Sequence, residues 1–266
     1  MAIAFNERTI PTEPSGPGVT RRNLLTTDAL KATNLLLDRI TLSAGASIGI
    51  ETSGRSVAWL QMLDGEATLK AVNSEPMATH SVFVPPNFRV AISSAKGASV
   101  LCAEIPDAGK FDADFSPDTP YFMAVDWTRE AVYECDTRKR IFLVGPNACG
   151  TKAMLAAMVI YPAGATSSKF RHEGAAAFSY ILEGHGTASA NDKAFAVAPG
   201  DFIHFPDREW HSLQATEGKT LRFLTFHVPG IFKTVWADPT TASRWVETNR
   251  NINGGPTALD WAARRI

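Results

Sequence analysis

The feature that most constrains this chain is an internal repeat. The stretch TLSAGAS (Thr41 to Ser47) returns as IYPAGAT (Ile160 to Thr166), and LQMLDGEATL (Leu60 to Leu69) returns as SYILEGHGTAS (Ser179 to Ser189). HSVFVPPN (His80 to Asn87) returns as GDFIHFPD (Gly200 to Asp207). Gly45 and Gly65 stand twenty residues apart, as do Gly164 and Gly184. Matched glycines with a matched proline turn mark one supersecondary unit used twice. At 266 residues the chain has room for two such units as separate domains.

Within each copy the apolar residues come in short runs bounded by Gly, Pro, Asp and Asn. SVAWLQML, SVFVPP, RVAISS and ASVLCAEI belong to the first copy; AMLAAMVIYP, AFSYILEG, DFIHFP and LRFLTFHVP belong to the second. Runs of this length, rich in Val, Ile and Phe and punctuated by turn residues, predict antiparallel strands. The Leu-Asp-Gly and Leu-Glu-Gly elements read as hairpin corners in which glycine supplies positive φ. A small many-stranded unit must protect its edges, so a closed barrel or jelly roll is expected for each copy.

These patterns divide the chain into an N-terminal barrel at 1–110, a linker at 111–126, a C-terminal barrel at 127–232 and a tail at 233–266. The linker reading rests on the polar, Pro-rich DAGKFDADFSPDTP (Asp107 to Pro120). The tail carries Trp236, Trp245 and Trp261. It is expected to end in a short helix, with Thr257 as N-cap, Asp260 as capping-box partner and Arg264 and Arg265 at the C-terminal end.

Composition narrows the function classes. A formal net charge of −1 lacks the basic footprint of a nucleic-acid binder. The first twenty residues have no basic start followed by an apolar core, and no run of eighteen apolar residues occurs. The expectation is a cytoplasmic protein with no nucleic-acid or membrane partner. Cys102, Cys135 and Cys149 share no motif spacing and read as reduced thiols filling the core. A homodimer is the default assembly, with outward apolar residues such as Trp59 and Met62 expected to be covered by sheet packing.

The second copy resembles the cupin superfamily. Its first motif runs from Gly164 to Gly184 at that family's spacing, and Pro199-Gly200-Asp201, Pro206 and His211 match the second. Both halves fit, so the chain resembles a bicupin, an all-β protein of two tandem jelly-roll barrels. The resemblance implies one metal site built from three histidines and a carboxylate. In the second copy those positions hold Phe170, His172, Ala177 and His211; in the first they hold Glu51, Ser53, Ala58 and Val90. The first barrel is therefore expected to be metal-free and structural. Among bicupins the arrangement is most similar to the (S)-ureidoglycine aminohydrolase family, through its C-terminal active barrel and the stretch Ser212 to Ala215. That family's glutamate and further histidine are replaced by Phe170 and by residues within Ala175 to Ala177.

A third imidazole is available on the closing strand LRFLTFHV, where His227 is in phase with Leu221, Phe223 and Thr225. If Arg222 faces water, His227 faces the lumen. His172, His211 and His227 are thus the candidate metal ligands for one divalent ion (Mn, Fe, Ni or Zn), with His172 and His211 as candidate acid or base. Phe170, Phe178, Trp210 and Phe223 are candidate pocket walls; Lys169, Arg171, Arg208 and Arg222 are candidate anion holders. His204 is placed on the outer face, His185 in a solvated corner, and His80 has no identified partner. Two functions stay open: a small-molecule enzyme (hydrolase, dioxygenase or isomerase) acting in the second barrel, and a metabolite-binding bicupin without chemistry.

Overall fold

The fold is taken from a computed structural model that describes residues 1–26, 34–69, 78–112 and 123–258. Among these residues the secondary structure is strand, interrupted only by three-residue 3-10 turns. The expected C-terminal helix falls at 259–266, outside the described residues. No helix among them is long and apolar enough to cross a membrane.

The first repeat builds a seven-stranded and a three-stranded sheet. In the larger sheet Val57–Gly65 lies between Ala98–Ile105 and His80–Val84, all antiparallel. In the smaller, Ser47–Glu51 and Thr68–Leu69 flank Arg89–Ser93. Alternation sends Ile40, Leu60, Val82, Val84, Val90, Ile92 and Val100 into one apolar core. Two of the first barrel's cupin ligand positions, Ala58 and Val90, lie in this core, while Glu51 is exposed. Met62 also packs against it, not outward as expected. Met62 stands two residues beyond Leu60, before the register shift that skips Leu63, and so keeps Leu60's face. Trp59 is on the opposite face, fully buried, donating its indole N–H to Ser81 Oγ at 2.6 Å.

The second repeat builds an eight-stranded and a five-stranded sheet. In the larger, Ala176–Glu183 lies between Asp201–Phe205 and Leu221–Val228. Its residues divide by parity: Ala177 and Ile181 join the inner cluster with Phe205 and Phe223. Phe178 faces the other way and stacks between Phe202 and Phe226, at centroid distances of 5.9 and 5.2 Å. The expectation that Phe178 walls the pocket is therefore corrected by strand parity.

The two hairpin-corner glycines are required by geometry. Gly65 and Gly184 have φ of +73° and +82°. A Cβ would meet Gly97 O at 2.3 Å in the first barrel and Thr220 O at 1.9 Å in the second. Both repeats therefore close the same corner the same way, on backbone that leaves no room for a side chain.

The chain divides differently from the expected boundaries. One compact unit comprises Met1–Thr9, Arg129–Ala148 and Met154–Ala258, and the other comprises Ile10–Thr128 and Cys149–Ala153 among the described residues. The first strand, Ile3–Asn6, pairs with Asp201–Phe205 of the second repeat. Met123–Asp126, expected in the linker, pairs with His80–Val84 of the first. Each large sheet thus covers an edge with a strand that local sequence places elsewhere. Tyr180 OH, outward on its strand, donates to buried Glu7 Oε2 at 2.5 Å and ties the N-terminal segment down.

Candidate functional site

Three strands of the second barrel deliver the three candidate imidazoles to one lumen. His172 comes from Phe170–Glu173, and His211 opens His211–Ala215, where it is the register partner of Phe170. His227 sits on Leu221–Val228 directly opposite Ala177. A histidine on the neighbouring strand therefore occupies the space left at the cupin carboxylate position. The three are 8%, 4% and 3% exposed.

His172 Nε2 and His227 Nε2 are 3.0 Å apart, with ring planes nearly perpendicular. The His172 and His211 ring centroids are 5.4 Å apart. Two of the rings are anchored from behind. His211 Nδ1 is 2.8 Å from the Glu209 carbonyl oxygen, so it carries the proton and its Nε2 keeps a lone pair. Thr234 Oγ1 lies 3.2 Å from His172 Nδ1. His227 is held by stacking on Phe232 at 4.3 Å, and its Nδ1 has no hydrogen-bond partner among the described residues.

Burial keeps all three rings neutral. Desolvation, then the neighbouring His211 and Arg140, push His172 down to about 2. Desolvation takes His211 down to about 4. His227 is held well below the ordinary imidazole value by desolvation and then by His172 and Arg140. Neutral imidazoles present lone pairs at neutral pH, which metal ligation and hydrogen-bond acceptance both need.

The lumen is a cavity of about 30 Å³, enough for a water or a single ion. Phe170, Phe205, Leu213 and Phe223 make its apolar wall, and Phe205 stacks on His211 at 4.3 Å. Arg140 also lines it, a residue the sequence reading missed. Its guanidinium lies 4.5 Å from the Trp245 ring centroid. Desolvation lowers its pKa to about 10, which still leaves it charged at neutral pH. Arg140 faces inward because it pairs with Val159, whose side chain joins the same inner cluster, a register that nothing local reveals. Thr234 and Phe232 were missed because nothing local reveals that Lys233–Trp236 pairs with Phe170–Glu173.

The other candidates lie elsewhere. Arg171 pairs with Glu173 at 2.7 Å and sits over Trp210, which takes both aromatic and cation out of the lumen. Arg222 pairs with Glu183 at 2.9 Å, and Lys169 and Arg208 are exposed. Trp236 contacts Phe170 at 5.1 Å. His204 faces outward but is buried, stacked on Phe178 at 4.9 Å. His185 is exposed. His80 has a register partner after all, Asp126.

Residues 157–227 match the cupin domain family. No curated protein matches the chain. Solved structures do. A site-directed variant of Bacillus subtilis oxalate decarboxylase superposes with a TM-score of 0.70 at 15% identity, covering 88% of this chain and 79% of that one. A second variant gives the same TM-score and coverage at 16% identity. The fold is that of a bicupin. In another of these structures the subject is the Mn(II) centers of the enzyme.

A bicupin raises the question of a metal, and the donor set fits a divalent transition ion in kind. His172 and His227 present two Nε2 atoms at the separation of adjacent ligands, and His172 and His211 have the polar partners behind the ring that metal-bound histidines use. The set is not closed: among the described residues no group of three or more His, Cys, Asp or Glu side chains stands at metal-holding geometry.

Proposed function

We propose that the second barrel is the working centre of a small-molecule enzyme whose substrate carries a carboxylate. One observation supports this above the rest. The lumen sets the charged Arg140 among three neutral imidazoles, with no carboxylate in its described lining. Arg140 is half-buried, with a buried Nε that has no hydrogen-bond partner among the described residues; an anion offsets that desolvation, and guanidinium matches a carboxylate in two parallel hydrogen bonds. The structural neighbours, oxalate decarboxylases by description, agree with a small carboxylate in a chamber of this fold.

His172, His211 and His227 would hold a divalent ion, which would supply Lewis-acid polarisation of a bound oxygen. The chain's own residues do the rest. Arg140 orients the carboxylate, while Phe170, Phe205 and Phe223 exclude water and strengthen that pairing. Thr234 and Glu209 fix the ring orientations of His172 and His211. In the metal-free chamber an entering anion offsets the Arg140 charge that helps to depress His172, which raises that ring's proton affinity and readies it to take and donate a proton.

The likeness to (S)-ureidoglycine aminohydrolase rests on paired barrels and Ser212 to Ala215. Phe170 and Ala175 to Ala177 remove that family's glutamate and histidine, and no ureide chemistry is proposed. The loss of two cupin ligand positions, to Phe170 and Ala177, favours a second reading, a binding protein that holds a small acid without turning it over.

The test is calorimetric titration of untagged protein with oxalate or malonate, metal-free and after reconstitution with Mn, Fe, Ni or Zn, with bound metal measured by mass spectrometry. The expected result is saturable binding, with affinity at least tenfold weaker in Arg140→Gln. Binding undetectable in every state, or equal in Arg140→Gln, would overturn the proposal. Binding without turnover in any metal form would select the second reading.

A further inference from the structure

The first repeat's unit carries a cavity of its own, independent of the histidine chamber. Thr12, Thr20, Arg21, Arg22, Arg39 and Thr41 line a space of about 290 Å³. It lies along the antiparallel strands Val19–Leu25 and Leu36–Leu42, beside Glu13–Gly16. The register sets Thr20 opposite Thr41 and Arg22 opposite Arg39. Two threonine hydroxyls and two guanidinium groups therefore stand as adjacent cross-strand pairs.

This placement has a physical consequence. Like charges directly opposite on paired strands destabilise the sheet. A structural surface would vary the sign, as the chain does one position away, where Arg21 pairs with Asp38 at 3.0 Å. Two further contacts orient the groups: Arg22 Nε donates to Thr12 Oγ1 at 2.9 Å, and Arg39 Nη2 donates to Ser99 Oγ at 3.4 Å. The described lining holds donors and hydroxyls, and no carboxylate.

We propose that this cavity is a binding site for the phosphate group of a small organic phosphate. A tetrahedral oxyanion can bridge two guanidinium forks and still accept from a threonine hydroxyl, whereas a carboxylate has only two oxygens to share. The cavity volume is close to that of small-ligand clefts and exceeds what phosphate alone fills.

The test is thermal unfolding at fixed ionic strength in chloride, inorganic phosphate and glycerol 3-phosphate, with calorimetry for affinity. Wild type, Arg22→Gln and Arg39→Gln are compared. The wild-type midpoint should rise saturably with the phosphates and not with chloride. Arg22→Gln should bind phosphate at least tenfold more weakly. A stronger response to the ester assigns an organic phosphate; an equal response assigns phosphate itself, recognised through the same groups. Midpoints that follow ionic strength whatever the anion, or wild-type affinity retained in both variants, would overturn the site.

Discussion

Lowering the pH from 7 to 5 should unfold the metal-free bicupin far more readily than its carboxylates alone would allow. Unfolded histidine titrates near 6.5, whereas folded His211 titrates at about 4 and His172 at about 2. His227 is also held well below the ordinary value. Between those limits the unfolded chain binds protons that the folded chain refuses, so stability is fully present above 6.5 and falls as the pH drops toward the folded values. Each pH unit below 6.5 costs about 1.4 kcal/mol per ring, so pH 5 removes about 2 kcal/mol for each. The three chamber rings and buried His204, also held down at about 4, give an upper value of about 8 kcal/mol, comparable to the whole stability of many domains. Urea unfolding at pH 7, 6 and 5 in the presence of chelator measures it. His211→Gln deletes one of these contributions, so its slope against pH should be shallower by about a quarter or less, because His204 and half-buried His80 contribute too, whatever its absolute stability. A wild-type midpoint flat between pH 7 and 5, or equal slopes in the two proteins, would refute the picture of rings buried neutral.

Gly184→Ala should destabilise by more than the roughly 1–2 kcal/mol of left-handed backbone strain, because Thr220 O occupies the Cβ position. Gly218→Ala, with φ of +73° and nothing within 4 Å, should cost only that strain; equal melting losses would contradict the close approach. Tyr180→Phe should cost about 1–3 kcal/mol, since it removes a hydrogen bond to the buried Glu7 carboxylate, and should raise hydrogen exchange across Ile3–Asn6. Thr234→Val should weaken metal binding roughly 10- to 100-fold without unfolding the protein; unchanged affinity in a chelator competition would remove Thr234 from the site.

The barrels were legible because repeat spacing and strand alternation are local signals. Gly45, Gly65, Gly164 and Gly184 marked the same corners twice, and the parity of LRFLTFHV turned His227 inward. The N-terminal edge strand was not legible: Ile3–Asn6 pairs with residues nearly two hundred positions away, and nothing in its composition names the partner. Arg140 was missed for a related reason. A charged residue on a strand is ordinarily solvated, and the register that turns it inward is set by a distant strand. The Met62 error came from not applying alternation: Trp59 and Met62 stand three residues apart on one strand and so point to opposite faces.

The most direct test of the central claim is a long-range proton–nitrogen spectrum of the imidazoles, recorded while a small dicarboxylate is titrated into metal-free protein. The resonances of His172, His211 and His227 should move together, while exposed His185 stays fixed. Chamber resonances that do not respond, or a response confined to His185 and His80, would contradict a carboxylate site in the second barrel.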